Sequence, residues 1–266
     1  MRLGVAATAP LGADVLERLA DRHEIAFLLT RPDRPRGRGR RLGAPPAKEV
    51  AERLGIQVRQ DERLDDSFPF DDVDTILVVA YGALIPAELL EQATWLNVHP
   101  SRLPRWRGAA PIERAIMAGD EESAVSVIRL VEELDAGPIG AQRHLAIGGD
   151  TTAGDVYTET ARLAPELIDE ALANDSFSPQ GGEATYAEKI RPADRELDWS
   201  RPPKELHDRI RALSPHIGAR GELEGRRVTV WRSRLDGDRL EVLEVQPEGG
   251  TRMPYDAWLR GLRSRP

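Results

Sequence analysis

Residues 97–111 read NVHPSRLPRWRGAAP. Asn97 and His99 stand two apart, and in an extended strand that spacing sends both side chains off the same face. A primary amide beside an imidazole can donate to an oxygen that gains negative charge and can move a proton. Pro100 and Pro104 stiffen the chain that follows. The same pair also suits a plain structural task, closing a strand end and its turn, as polar loop residues commonly do. A carboxylate meeting the imidazole would separate the two readings. The best candidate is Asp135 in VEELDAGPIG, which fits equally an Asx-turn ahead of a glycine. Only its spatial approach to the pair decides, and spacing does not supply that.

Several other chemistries are excluded. The chain has no cysteine, which removes disulfides, thiolate metal sites and cysteine nucleophiles. No HExxH occurs, and His23, His99, His144, His207 and His216 are scattered, so no metal site is expected. The first apolar run ends in AATAPLGA rather than G-x-G-x-x-G, and no Walker loop is present, so the usual dinucleotide and nucleotide cradles are unsupported.

Strands are read over 2–7, 25–29, 56–59, 75–80, 95–99 and 124–130, and helices over 11–19, 46–54, 86–91 and 111–118. The continuous apolar run TILVVA suits a strand covered on both faces. Strands alternating with helices predict an α/β domain with a mostly parallel sheet, in which ligands bind at the carboxyl ends of the strands. Residues 151–173 form one long amphipathic helix, with Val156, Thr160, Leu163, Leu167 and Leu172 near one face. The stretch after it, rich in Pro, Gly and charge, is a linker. Beyond it come a helix over 203–213 and two antiparallel strands in RRVTVWRSRL and DRLEVLEVQP.

At 266 residues and 40% hydrophobic content, the chain can bury a sizeable core. Its start lacks the basic and apolar pattern of a signal peptide, and no stretch is long and apolar enough to span a bilayer, so a soluble cytoplasmic protein without a membrane partner is expected. The net charge of −8 argues against a general nucleic-acid binder, yet RPDRPRGRGRR at 31–41 holds six arginines against one aspartate. A local basic patch on an acidic body can dock a polyanion, although charge runs are commonly solvated loops.

The blocks LTRPDRPRGRGRRL, PPAKEVA, VVAYGALIP, LNVHPSRLPRWRGAAPIERAIMAGD, ELDAG, DTTAG, ATYAEKI and LDWSRP occur in the order found in the methionyl-tRNA formyltransferase family, which this sequence closely resembles. The resemblance implies a Rossmann-like formyltransferase domain over 1–179, a linker over 180–199, and a tRNA-binding β module of OB-fold type over 200–266. It implies a formyl transfer from 10-formyltetrahydrofolate, as donor substrate and without a metal, to the α-amino group of initiator methionyl-tRNA, by a monomer. By motif match, Asn97, His99 and Asp135 are the catalytic trio. Asn97 and His99 donate to the tetrahedral oxyanion, while Asp135 holds His99 in its useful state and helps a proton leave the amine. The folate is implied against Tyr81, Gly82, Leu84, Ile85, Pro86, Ser101, Leu103 and Pro104, with Gly82 permitting close backbone approach to the pterin. Arg36, Arg38, Arg40 and Arg41 belong to the family's tRNA-facing insertion. Arg38 aligns with its G-R-G arginine, suited to phosphate contact or stacking at the first base pair, and Lys48 with its P-x-K lysine.

The sequence departs from the family pattern at Ala7, Arg102, Ala136 and Pro138, positions that bear on substrate contacts rather than on the trio. The run from VTVWRSRL to DRLEVLEVQPEGGTRM is also short, which implies a reduced C-terminal barrel. Two other functions share the trio or the basic loop. One is a formyltransferase acting on a small amine such as an amino-sugar nucleotide, which has no use for six arginines in one loop. The other is a non-catalytic tRNA-binding relative, against which the intact trio speaks.

Overall fold

The computed structural model describes residues 1–36, 41–61, 64–174 and 176–263. In chain order the first elements are β1 (Arg2–Ala7), α1 (Pro10–Ala20), β2 (Glu24–Leu29), β3 (Arg34–Arg36), β4 (Arg41–Gly43), α2 (Pro46–Leu54), β5 (Gln57–Arg59), β6 (Thr75–Val79), α3 (Ala87–Gln92) and β7 (Thr94–His99). Then come β8 (Arg107–Gly108), α4 (Pro111–Met117), β9 (Glu122–Arg129), β10 (Ile139–Ala146), α5 (Ala153–Ala173) and β11 (Tyr186–Ala187). A short 3-10 turn, Pro192–Arg195, precedes α6 (Pro203–Ala212), β12 (Ala219–Leu223), β13 (Arg226–Asp236), β14 (Arg239–Pro247), β15 (Met253–Pro254) and α7 (Tyr255–Arg263). Pro opens α1, α2, α4 and α6 within the first two helical positions, where its missing N–H removes no intrahelical bond.

Seven strands form the main sheet in the order β10-β9-β7-β6-β1-β2-β5. The pairs β5·β2, β2·β1, β1·β6 and β6·β7 are parallel, whereas β9 runs antiparallel to β7. The predicted mostly parallel sheet therefore carries an antiparallel junction beside the strand that bears Asn97 and His99. All five residues of β6 are buried, as its unbroken apolar run requires at the sheet centre. One core packs Phe27, Phe68, Ile76, Tyr81 and Trp95, with Phe27 and Phe68 edge to face at 5.7 Å between centroids.

By contact density the chain divides into two compact units. The first comprises Met1–Arg107, Ala124–His144 and Thr158–Thr185; the second comprises Gly108–Ser123, Leu145–Tyr157 and Tyr186–Pro266. Within the second, β12-β13-β14-β15 make an antiparallel sheet of four strands. Its core holds Leu206, Ile210, Val228, Val230, Val245 and Trp258.

The arginine-rich stretch, which also suited a loop without structure, contributes an antiparallel hairpin. Arg34–Arg36 pairs with Arg41–Gly43, placing Arg36 opposite Arg41 in the backbone register. Arg38 and Arg40 lie outside the described residues. At the base of the hairpin, the Lys48 ammonium donates to both Asp33 carboxylate oxygens at 2.9 and 3.0 Å and to Gln60 Oε1 at 2.9 Å. Gln60 in turn donates to Asp33 at 2.7 Å and to the Arg31 carbonyl at 2.9 Å, so Lys48 sits inside a closed polar network.

In the second unit, Glu113 lies in the first turn of α4 and is only 6% exposed. Burial pushes its carboxyl above the usual carboxylate range, against the opposing pull of its own backbone hydrogen bond, the Tyr157 hydroxyl, His216 and Arg114. Tyr157 donates to Oε1 at 2.9 Å, while Oε2 finds no hydrogen-bond partner. Folding thus binds a proton that the unfolded chain releases above pH 4.5, and the contribution of this group to stability falls as pH rises from there. Glu113→Gln removes that dependence. Urea midpoints measured from pH 5 to 7.5 are expected to decline less steeply in the variant; parallel profiles would show that Glu113 is ionised in the fold.

Candidate active site

Trp95, Asn97 and His99 alternate along β7 and leave the same face of the sheet. Trp95 fills the core at the amino end, where its indole donates to the Leu89 carbonyl at 2.8 Å. Asn97, half-buried, and His99, buried, occupy the carboxyl end. Parallel β6 sets Val78 opposite Asn97, and antiparallel β9 sets Ile128 opposite Asn97 and Ser126 opposite His99. The strand stops at Pro100, which has no N–H to continue a ladder.

The chain then turns tightly. Ser101 N–H donates to the His99 carbonyl at 2.9 Å, and the Ser101 hydroxyl donates to the Arg105 carbonyl at 2.7 Å. Ser126, itself receiving Gln142 Nε2 at 2.8 Å, donates to the Ser101 carbonyl at 2.6 Å. The turn ends on Trp106, which has a left-handed backbone (φ 65°) and offers its carbonyl to His99 Nε2 at 2.9 Å. A carbonyl only accepts, so Nε2 carries a hydrogen and Nδ1 is the nitrogen that faces the rest of the site.

Asp135 arrives from the other end. Because β9 is antiparallel to β7, the loop over 130–138 departs beside the strand's amino half, where Leu130 N–H donates to the Trp95 carbonyl at 2.7 Å. The loop folds back over the face, and Asn97 Nδ2 donates to Asp135 Oδ1 at 3.3 Å while Asp135 Oδ2 lies 3.6 Å from His99 Nδ1. Asp135 is buried and left-handed (φ 48°), a conformation aspartate tolerates better than most residues. The structure thus brings the three predicted residues together, 38 positions after Asn97 in the case of Asp135.

Three residues outside the predicted set hold this loop. Gly137 passes so close to β9 that an added Cβ would lie 1.7 Å from the Arg129 carbonyl oxygen. Gln180 Nε2 donates to the Asp135 carbonyl at 2.7 Å and to the Gly137 carbonyl at 2.8 Å. Buried Arg107 donates to Gln180 Oε1 from Nε and Nη2, at 3.2 and 2.9 Å, and to Glu133 at 2.8 Å. Arg107 stood inside the quoted RWRG stretch, so its type and place were visible. Gln180 fell at the start of a region read as linker, with no periodicity or motif to single it out.

The loop over 80–86 follows β6 and emerges beside the end of β7, its parallel neighbour. Gly82 takes φ 78° with nothing within 4 Å of the position a Cβ would occupy, and Leu84 is 82% exposed. Ile85 and Pro86 are half-buried, as is Pro104. Tyr81 instead packs into the core, where burial raises the pKa of its hydroxyl despite the neighbouring Arg31. Ser101 and Leu103 are buried in their own turn. Among the described residues, no group of three or more His, Asp or Glu is placed to hold a metal ion, and no helix is long and apolar enough to cross a membrane.

Comparison with known proteins agrees with this geometry. Residues 3–172 match the family model described as formyl transferase, and residues 189–239 match that of the formyl transferase C-terminal domain. A methionyl-tRNA formyltransferase from Paracoccus denitrificans is 38% identical over 98% of both chains. One from Cutibacterium acnes is 43% identical over 93% of this chain and 84% of its own. Among solved structures, methionyl-tRNA formyltransferase from Clostridium thermocellum shares the fold at TM-score 0.66 and 18% identity, covering 93% of this chain and 98% of its own. HypX from Aquifex aeolicus, in complex with tetrahydrofolic acid, does so at TM-score 0.69 and 18% identity, covering 99% of this chain and 47% of its own. With a seven-stranded α/β domain, a small antiparallel sheet and relatives alike over nearly their whole length, the chain belongs to the methionyl-tRNA formyltransferase family.

Proposed function

We propose that this protein transfers the formyl group of 10-formyltetrahydrofolate to the α-amino group of initiator methionyl-tRNA, using Asn97, His99 and Asp135. The observation that carries the reading is the return of the Asp135 carboxylate to the amide and imidazole at the end of β7. A loop residue serving only a turn has no reason to be buried against both.

The donor fits the loops beside the trio. Gly82 leaves its backbone open to a flat ring edge, and exposed Leu84, with Ile85, Pro86 and Pro104, offers an apolar wall next to it. Tyr81, Ser101 and Leu103 shape these loops from beneath. The folate supplies a formyl carbon already activated as an N-formyl amide, so the protein's work is positioning, charge stabilisation and proton transfer. Asn97 Nδ2 has two hydrogens, one directed at Asp135, and the second serves the formyl oxygen as charge develops there. His99 is held by the Trp106 carbonyl and turns Nδ1 toward Asp135. Asp135, 3.6 Å from Nδ1, favours departure of the proton that the attacking amine loses as its bond to the formyl carbon forms, and tetrahydrofolate leaves with a proton on its nitrogen as the bond from that nitrogen to the formyl carbon breaks.

Recognition of the tRNA falls to the arginine stretch that includes Arg36, Arg38, Arg40 and Arg41, and Lys48 helps hold the chain beside it through Asp33 and Gln60. The catalytic part runs to 179, a linker follows over 180–199, and the module over 200–266 adds tRNA backbone surface. The enzyme acts as a monomer, in the cytoplasm where initiator tRNA is used.

The test is direct. The protein is incubated with 10-formyltetrahydrofolate and charged initiator tRNA, and the esterified amino acid is analysed after base release. Formylmethionine is the expected product. Its absence, with formylation of an amino-sugar nucleotide instead, would overturn the assignment.

A further inference from the structure

The geometry points to Gln180, oriented by Arg107, as a positioning residue for the transfer: it sets the Asp135 carboxylate against Asn97 and His99 without touching substrate. This inference rests on the function proposed above and adds two residues to it.

Three observations carry it. First, the amide of Gln180 has only one orientation that its neighbours permit. Its Nε2 faces two carbonyl oxygens, those of Asp135 and Gly137, at 2.7 and 2.8 Å, and its Oε1 faces two guanidinium nitrogens of Arg107 at 2.9 and 3.2 Å. Exchanging N and O would set acceptors against acceptors and donors against donors. Second, the bonds fall on the backbone of the very residue that acts and on the one two positions later, in a loop that must double back from the wrong end of β7. Asp135 itself is left-handed, a conformation that aspartate tolerates but that still needs its surroundings to hold it. Third, Arg107 is buried and also ties Glu133 on the near side of the same loop, so a single guanidinium braces both flanks of Asp135.

The chemistry of the brace predicts how it breaks. In Gln180→Glu the side chain keeps its size and its bonds from Arg107, gains a favourable charge pair with it, and loses both N–H donors. The Asp135 and Gly137 carbonyls then face a carboxylate oxygen that can only repel them. The loop relaxes while the sheet stays folded.

The experiment is a double-mutant cycle of Gln180→Glu with Asp135→Asn in the full chain, read by formylation of charged initiator tRNA, together with amide hydrogen exchange. Expected for Gln180→Glu alone is a fall in kcat of about 30-fold or more, the size of effect that small displacements of a reacting group produce, with KM for both substrates within about twofold of wild type. In the Asp135→Asn background the same change is expected to have almost no further effect, because the group it positions has lost its function. Exchange is expected to quicken over 130–138 and to remain unchanged in β6 and β7. A wild-type kcat for Gln180→Glu, or effects that multiply fully across the cycle, would overturn the inference. If Gln180→Glu does not fold, Gln180→Ala removes the donors without adding charge and has the same expected and overturning results. The exchange measurement needs no substrate. Unchanged protection at 130–138 therefore defeats the inference alone, whereas failure of the wild-type enzyme to formylate the tRNA defeats the functional reading alone.

Discussion

Replacing His99 by Ala is expected to lower kcat for formyl transfer by about a thousandfold, and replacing Asn97 by Ala to lower it by about 100- to 1,000-fold, with KM for tRNA and folate little changed. The magnitudes follow from what each group does. In the proposed reaction Asn97 provides a fixed donor for the oxygen on which charge develops, in a half-buried setting where water does not replace it well. His99 cannot turn away, because Nε2 is fixed on the Trp106 carbonyl at 2.9 Å. Both side chains lie at the carboxyl end of a strand whose hydrophobic anchor is Trp95, so truncation leaves the core intact. The double variant is expected to lose little more than the worse single one, since residues acting on one transition state are not additive. Steady-state kinetics on charged initiator tRNA, with circular dichroism to verify folding, checks this. Losses below about tenfold for either variant would remove these residues from the reaction.

Gly137→Ala is expected to be as damaging, although no atom of Gly137 takes part in the chemistry. A methyl at this position would lie 1.7 Å from the Arg129 carbonyl oxygen, and 2.9 Å from its carbon. Both are backbone atoms of Arg129 in β9, whose residues 126–129 pair with β7, so they cannot yield cheaply. The loop must move instead. It carries Asp135 two residues away, and a shift of about 1 Å in such a group lowers turnover by about 100-fold. Crowding at a well-packed position also destabilises by about 1–3 kcal/mol. The variant is therefore expected to keep less than about 1% of wild-type kcat and to unfold at lower urea. Near-normal turnover would show that the 130–138 loop is more compliant than its packing against β9 implies.

Much of the scaffold was legible in the residue pattern. The strand read over 2–7 is the one observed, Arg2–Ala7, and the long helix read over 151–173 is Ala153–Ala173. Both carry strong periodic apolar signals and follow from burial alone. β10 was missed because IGAQRHLA alternates weakly and exposes Arg143 and His144 on the outermost strand of the sheet. No element was read beyond DRLEVLEVQP, yet 255–263 form α7, where Trp258 is buried although Arg260 and Arg263 follow it. The antiparallel setting of β9 was likewise hidden, since strand direction depends on connections rather than on composition.

The site was legible in part for the same reason. Asn97 and His99 share a face because two-residue spacing on a strand dictates it. Asp135 was a candidate by residue type and by resemblance to the family motif, but its approach could not be read, as it depends on the antiparallel β9, the close passage at Gly137 and the brace from Gln180. Lys48 was matched only to the family's P-x-K lysine, and its partners Asp33 and Gln60 appear only when the hairpin base is folded.

The central claim, that a carboxylate brought back over the sheet face works with the amide and imidazole, is tested most directly by single-turnover formyl transfer with Asp135→Asn. This variant keeps size and shape and removes only the charge and the proton acceptor. With saturating donor and enzyme in excess over charged initiator tRNA, the rate of formylmethionine formation is predicted to fall by about 100- to 10,000-fold while tRNA binding is unchanged. A single-turnover rate within about threefold of wild type, far inside the loss expected for removing a proton acceptor, would contradict the account.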